Sequence, residues 1–270
     1  YQQGLRPNWV EFIDRNQLKK ELLSENGRER FAAALSLTGF RDEESLDAIY
    51  ESLSTDDDTV VLITKVACIL FLYQQKFRPR QVNFRRFHQL KTEVLTGETW
   101  QKKFAAALGL AGFRLQESMH ILRNALRTDP DTLVRIIIGE SILFLYQQGF
   151  RPSRVESIDF LQLEREIRQG KTWQERYTVI FDLVNITHQR VLDLLYEALR
   201  NELNIYVLRI IGGFILFFYQ QGLSPSQIKL TDRDKLKREL FKGKTWQKRF
   251  AAALGLAAFR DQASLDIFYE

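Results

Sequence analysis

Three histidines and one cysteine bound what this chain of 270 residues can do with its side chains. His88, His120 and His188 fall at unrelated places, and Cys68 stands alone, so no zinc-type ligand spacing is present. His88 lies among Arg85, Arg86 and Phe87, a setting expected of a solvated helix face. No Ser, His and Asp set stands out. No glycine loop that would cradle a phosphate is present. We therefore expect no catalytic residue, no metal and no cofactor. Cys68, within Val66-Ala67-Cys68-Ile69-Leu70, reads as a small buried hydrophobe. A lone cysteine also fits a reducing, cytoplasmic setting.

Binding groups are the better candidates. One row of cations, Arg30, Lys103, Arg176 and Arg249, recurs at near-constant spacing. Stacked in space, such a row would follow an acidic peptide or a phosphate backbone; the alternative is a solvated helix face with acidic neighbours. Gln74, Gln147 and Gln220, with Gln2, follow a repeated tyrosine. Their amides either line one edge that recognises an extended peptide or satisfy carbonyls at a helix C-terminus. Asp182, Asn185 and His188 depart from the pattern around them, which marks either a local binding site or an enlarged core at Ile180 and Phe181.

These residues belong to a unit that repeats about every 73 residues. Tyr-Gln-Gln occurs at Tyr1, Tyr73, Tyr146 and Tyr219, each followed by a proline at the same offset: Pro7, Pro79, Pro152 and Pro225. Phe-Ala-Ala-Ala-Leu occurs at Phe31, Phe104 and Phe250. Trp100 to Arg114 matches Trp246 to Arg260 at all but two of 15 positions. Near-identical stretches 146 residues apart imply near-identical surroundings, as in stacked repeats. We place the copies at 1–72, 73–145, 146–218 and 219–270, in one domain. Both chain ends fall inside a copy, so a piece of a longer chain is expected.

Four helices are expected per copy. In the second they span 82–95, 100–113, 116–127 and 132–148. Trp100, Phe104, Ala107, Leu108 and Ala111 recur with helical period. Thr99 is placed to cap that helix, and Thr172 with Glu175 makes a capping-box pattern. Ile136 to Leu145 is apolar nearly all round, which puts the fourth helix at the centre of the stack. The apolar run Ile210–Tyr219 is too short to span a membrane.

The phrase Arg249 to Leu256, followed by Leu265, resembles the opening of HEAT repeats, most nearly the short HEAT-like repeats of bilin lyases. The stretch Asp129 to Arg135 is similar to the turn and Val-Arg opening of the next such unit. The family's polar ladder is incomplete here, since Leu62 and Leu208 stand at the position of Arg135. The resemblance implies an all-α superhelix of helix pairs, an α-solenoid that binds proteins along one face.

Charge is uneven along the chain. Residues 1–72 hold 8 basic and 13 acidic side chains, and residues 73–145 hold 12 and 6. Two basic clusters stand out, Arg78, Arg80, Arg85, Arg86 and Lys91, and Lys235 to Arg249. From all this we expect a non-catalytic scaffold, not an enzyme, whose partner is another protein or peptide of acidic character. The alternatives are nucleic-acid binding and the sensor arm of a signalling protein or a bilin-lyase-like subunit. No membrane association is expected.

Overall fold

The structure, a computed structural model, describes residues 14–80, 82, 84–152, 159–186, 189–226 and 232–269. Gln2 and His188 lie outside them. The described residues form fifteen α-helices and no strand. The all-α expectation holds, and neighbouring helices pair as in a helical repeat. The chain divides into two compact units, Tyr1–Arg151 and Pro152–Glu270.

The first unit contains α1 (Arg15–Glu21), α2 (Gly27–Thr38), α3 (Glu43–Glu51), α4 (Thr59–Gln74), α5 (Phe87–Thr96), α6 (Trp100–Phe113), α7 (Gln116–Thr128) and α8 (Thr132–Gln147). The second contains α9 (Phe160–Gln169), α10 (Trp173–Leu183), α11 (Gln189–Asn201), α12 (Ile205–Gln220), α13 (Arg233–Lys242), α14 (Trp246–Ala257) and α15 (Gln262–Tyr269). α1–α12 thus fall into three sets of four, and α13–α15 follow as a set of three. α5 differs from expectation: it begins at Phe87, because a 3-10 turn occupies Phe84–Arg86.

Local chemistry fixes the ends. Thr99, Thr172 and Thr245 each accept a backbone N–H at the start of α6, α10 and α14, and the Thr172–Glu175 capping box is complete. Asp58, Asp131 and Asn204 do the same for α4, α8 and α12. Gly97, Gly170 and Gly243 end α5, α9 and α13 because a Cβ there would lie 2.4–2.6 Å from the carbonyl four residues earlier.

The repeated Tyr-Gln-Gln phrase is a helix ending. After α4 the Phe77 N–H reaches the Leu72 carbonyl at 3.2 Å, and Lys76 sits at φ 72°. Phe150 to Leu145 and Leu223 to Phe218 repeat the bond, with Gly149 and Gly222 in the left-handed position.

α4, α8 and α12 are buried along most of their length. Each lies against the second and third helices of its own copy. Fully burying each Ile, Leu or Phe there contributes about 1.5–3 kcal/mol. Gly212 of α12 lets Phe250 of α14 approach, since a Cβ would sit 3.0 Å from its ring.

Candidate functional site

The recurring cations are engaged within the chain. The Arg30 Nε donates to Asp56 at 3.2 Å, and the Lys103 Nζ to Asp129 at 2.7 Å. Arg176 grips Glu202 through Nε at 2.7 Å and Nη2 at 3.0 Å. Each pair spans 26 residues. The carboxylates are buried and also accept backbone N–H bonds from the turn before the fourth helix, at Asp58, Asp131 and Asn204. Arg30, Arg176 and Arg249 donate as well to carbonyls of the turn before their own helix, at Ser24, Gly170 and Gly243. This clamp ties the start of the second helix to the end of the third.

Burial alone would raise the Asp56 carboxyl. Lys65, the Asp58 N–H and Arg30 together outweigh it and hold Asp56 below the ordinary aspartate value. The same balance acts at Glu202, where Arg176 and the N–H groups of Asn204 and Leu203 prevail over burial. Lys65 is fully buried against Asp56 at 2.7 Å. Burial lowers its pKa, and Asp56 opposes that only in part.

The Gln74 Nε2 donates to the Gln147 Oε1 at 3.4 Å, so these two amides pair with each other between α4 and α8 of the first unit. Gln220 is exposed at the end of α12 in the second unit. Asp182 and Asn185 are half-buried at the end of α10. His88 and His120 are exposed. No group of three His, Cys, Asp or Glu residues that could hold a metal occurs among the described residues.

A shallow groove lies between the first and third helices of a copy in each unit. In the second unit it has a volume of about 490 Å³ and is lined by Ile167, Arg168, Leu194, Glu197 and Leu203. Its counterpart between α1 and α3 holds about 570 Å³. Arg168 is bridged to Glu197, which neutralises the charge at the rim.

Most of the first basic cluster is also occupied. Arg80 meets Asp47 at 3.4 Å, Lys91 meets Glu117 at 3.1 Å, and the Arg86 Nε donates to Gln89 at 3.3 Å. Lys76, Arg78, Arg85 and Arg114 make no ion pair among the described residues. Lys76 and Arg78 follow α4, Arg85 precedes α5, and Arg114 ends α6, all in the first unit. Arg114 was not among the sequence candidates. Its one signal there was the recurrence of arginine at 41, 114 and 260.

No family model matches this sequence, and no curated protein matches it. Among solved structures the chain is similar to human deoxyhypusine hydroxylase in complex with glycerol. The identity is 17%, over 94% of this chain and 88% of that chain, with a TM-score of 0.39. The fold is α-solenoid-like. That neighbour is an enzyme, and the expectation of a non-catalytic scaffold that is not an enzyme is corrected accordingly. A helical stack alone does not separate a scaffold from an enzyme. Reaction and substrate do not transfer at this level of likeness. No described helix is long and apolar enough to cross a membrane.

Proposed function

We propose that this chain holds an acidic polypeptide against the basic turns of its first compact unit. The proposal concerns the partner and leaves open whether a reaction accompanies binding. The observation that carries it is the division of cations in residues 73–145. Lys103, Lys91 and Arg80 are neutralised by carboxylates of the chain, whereas Lys76, Arg78, Arg85 and Arg114 are not. Cations left without internal partners raise the local concentration of an anionic partner and speed its encounter. A nucleic-acid track fits less well, because the preceding 72 residues of the same unit carry 13 acidic against 8 basic side chains. A continuous phosphate backbone would meet that charge as repulsion.

Kinship with the bilin-lyase type of HEAT-like repeat belongs to the same proposal and rests on the Arg249–Leu256 phrase. A cytoplasmic location rests on the single buried Cys68.

Fluorescence anisotropy with a labelled oligoglutamate peptide tests the reading. Binding that weakens as salt rises is expected. Absence of binding at low ionic strength, or tighter binding of single-stranded oligonucleotide than of peptide, overturns it.

A further inference from the structure

We infer that the hairpin of α13 and α14 is a docking site for an anionic phospholipid surface. The inference goes beyond the function proposed above and concerns the second compact unit.

Charge sets this hairpin apart from its counterparts. Residues 233–249 carry eight basic and two acidic side chains. The matching stretches 15–30, 87–103 and 160–176 carry five and three, three and two, and four and three. The counterparts also neutralise cations within the chain. Lys102 meets Glu98 at 3.3 Å, Lys91 meets Glu117 at 3.1 Å, and Arg168 is bridged to Glu197. In the fourth copy Lys244 takes the place of Glu98, so Lys248 has a like charge four residues before it. Lys235, Arg238, Lys242, Lys244 and Lys248 are exposed and make no ion pair among the described residues.

The fold gathers these groups. Leu236 and Leu240 turn one face of α13 into the core. Lys235, Arg238 and Lys242, at i, i+3 and i+7, therefore share the outward face. Gly243 ends α13 and Thr245 caps α14, which brings Lys244 and Lys248 to the same closed end of the hairpin as Lys242. Phe241 and Trp246 are 49% and 41% exposed at that end. Leu95 and Trp100, their counterparts in the second copy, are half-buried.

Unpaired cations around exposed aromatic rings match the interface of a bilayer. The cations meet the negative headgroups, and the rings settle at headgroup level. Four of the five cations are lysines, point charges that suit a diffuse anionic layer. Recognition of nucleic-acid phosphates and bases favours the arginine fork instead. An acidic peptide would use the charge and leave both rings in water. Attachment of this kind needs no membrane-spanning helix. It departs from the expectation of no membrane association, which considered apolar length alone.

The test is co-sedimentation of the full chain with vesicles of phosphatidylcholine alone, and of phosphatidylcholine with roughly one-third phosphatidylserine. The chain should pellet with the second kind only, and less as salt rises. Lys242→Thr with Lys244→Glu introduces the residues of the second copy, Thr96 and Glu98. This double variant should weaken vesicle binding by about tenfold or more. Phe241→Ser should weaken it by about threefold or more. Lys171→Met, which removes the exposed cation at the matching site of the third copy, should change it by less than about twofold. Thermal melting checks folding; should the double variant melt early, Lys244→Glu alone decides, with binding weaker by about fivefold or more. Absence of pelleting with anionic vesicles at low ionic strength, equal pelleting with both kinds, or wild-type binding in the double variant overturns the inference. Wild-type binding in Phe241→Ser reduces the hairpin to a general polyanion patch and overturns the assignment to lipid. Tighter binding of a single-stranded oligonucleotide than of vesicles, lost in the same double variant, overturns it in favour of nucleic acid. Oligoglutamate affinity should stay within about threefold in the double variant, since that peptide is assigned to the first unit. Loss of the peptide together with the vesicles overturns the assignment to lipid.

Discussion

The Tyr50 hydroxyl donates to the Ala105 carbonyl across 55 residues, at 2.6 Å. Tyr196 and Ala251 repeat the bond at the same separation, at 3.0 Å. In both places the hydroxyl lies over a glycine, Gly109 or Gly255, where a Cβ would come within 3.2 or 2.8 Å of it. The near-identity of Trp100–Arg114 and Trp246–Arg260 thus has a local cause. Each stretch must leave room for the same tyrosine.

Gly255→Ala should destabilise the chain by about 1–3 kcal/mol through overpacking, outweighing the roughly 1 kcal/mol that alanine adds to a helix. Tyr196→Phe alone should cost about 1 kcal/mol for the lost bond. The double variant should be more stable than the sum of the two, because removing the hydroxyl relieves the closest of the contacts, while Leu236 at 3.0 Å keeps part of the overpacking. Chemical denaturation of the four proteins measures the coupling, and simple additivity would count against the contact.

Glu202→Gln should cost about 1–3 kcal/mol at neutral pH, since it leaves Arg176 without its counter-charge. The sign of the pH effect follows from the depressed pKa of Glu202. Its contribution is fully present above the ordinary value of 4.5 and fades as the pH falls through the lower folded value. The variant should therefore lose less stability than wild type between neutral pH and pH 3. Melting temperatures across that range check it, and parallel curves would contradict it.

The left-handed helix ends give opposite results at equivalent positions. Lys76→Gly should stabilise the chain by about 1 kcal/mol, because glycine meets no penalty at φ 72°. Gly149→Ala should cost about 1–2 kcal/mol. No atom lies within 4 Å of the added Cβ at Gly149, so that cost is one of backbone alone. Equilibrium unfolding of both variants is the check.

Cys68 is buried in α4, and burial pushes its thiol up to about 11. Alkylation near pH 8 should be slow in the folded chain and complete after unfolding. Rapid labelling of the native protein would show that α4 opens readily.

Much of this architecture is readable along the chain, and what is not follows a pattern. Thr99 and the period of Trp100, Phe104 and Leu108 place α6 to the residue, because caps and one apolar face act within a single helix. The shift of α5 to Phe87 was missed because a 3-10 turn leaves no apolar period to detect. The row Arg30, Lys103 and Arg176 was visible as spacing, yet its buried carboxylates, Asp56, Asp129 and Glu202, come into reach only when the third helix folds back. Arg114 is the converse case. The burial of its Nε and Nη2 beside Phe144 and Tyr73, which belong to other helices, sets it apart from the exposed cations only in the folded unit.

The division between these two kinds of cation is tested most directly by measuring melting temperature and oligoglutamate affinity together in Lys103→Met, whose cation is paired, and Arg78→Met, whose cation is exposed. Lys103→Met should lower the melting temperature by several degrees, about 1–3 kcal/mol of stability, with peptide affinity unchanged below the transition. Arg78→Met should leave the melting temperature within about 2 °C and weaken the peptide by about threefold or more. The reverse assignment, affinity lost at Lys103 and stability lost at Arg78, would contradict the division.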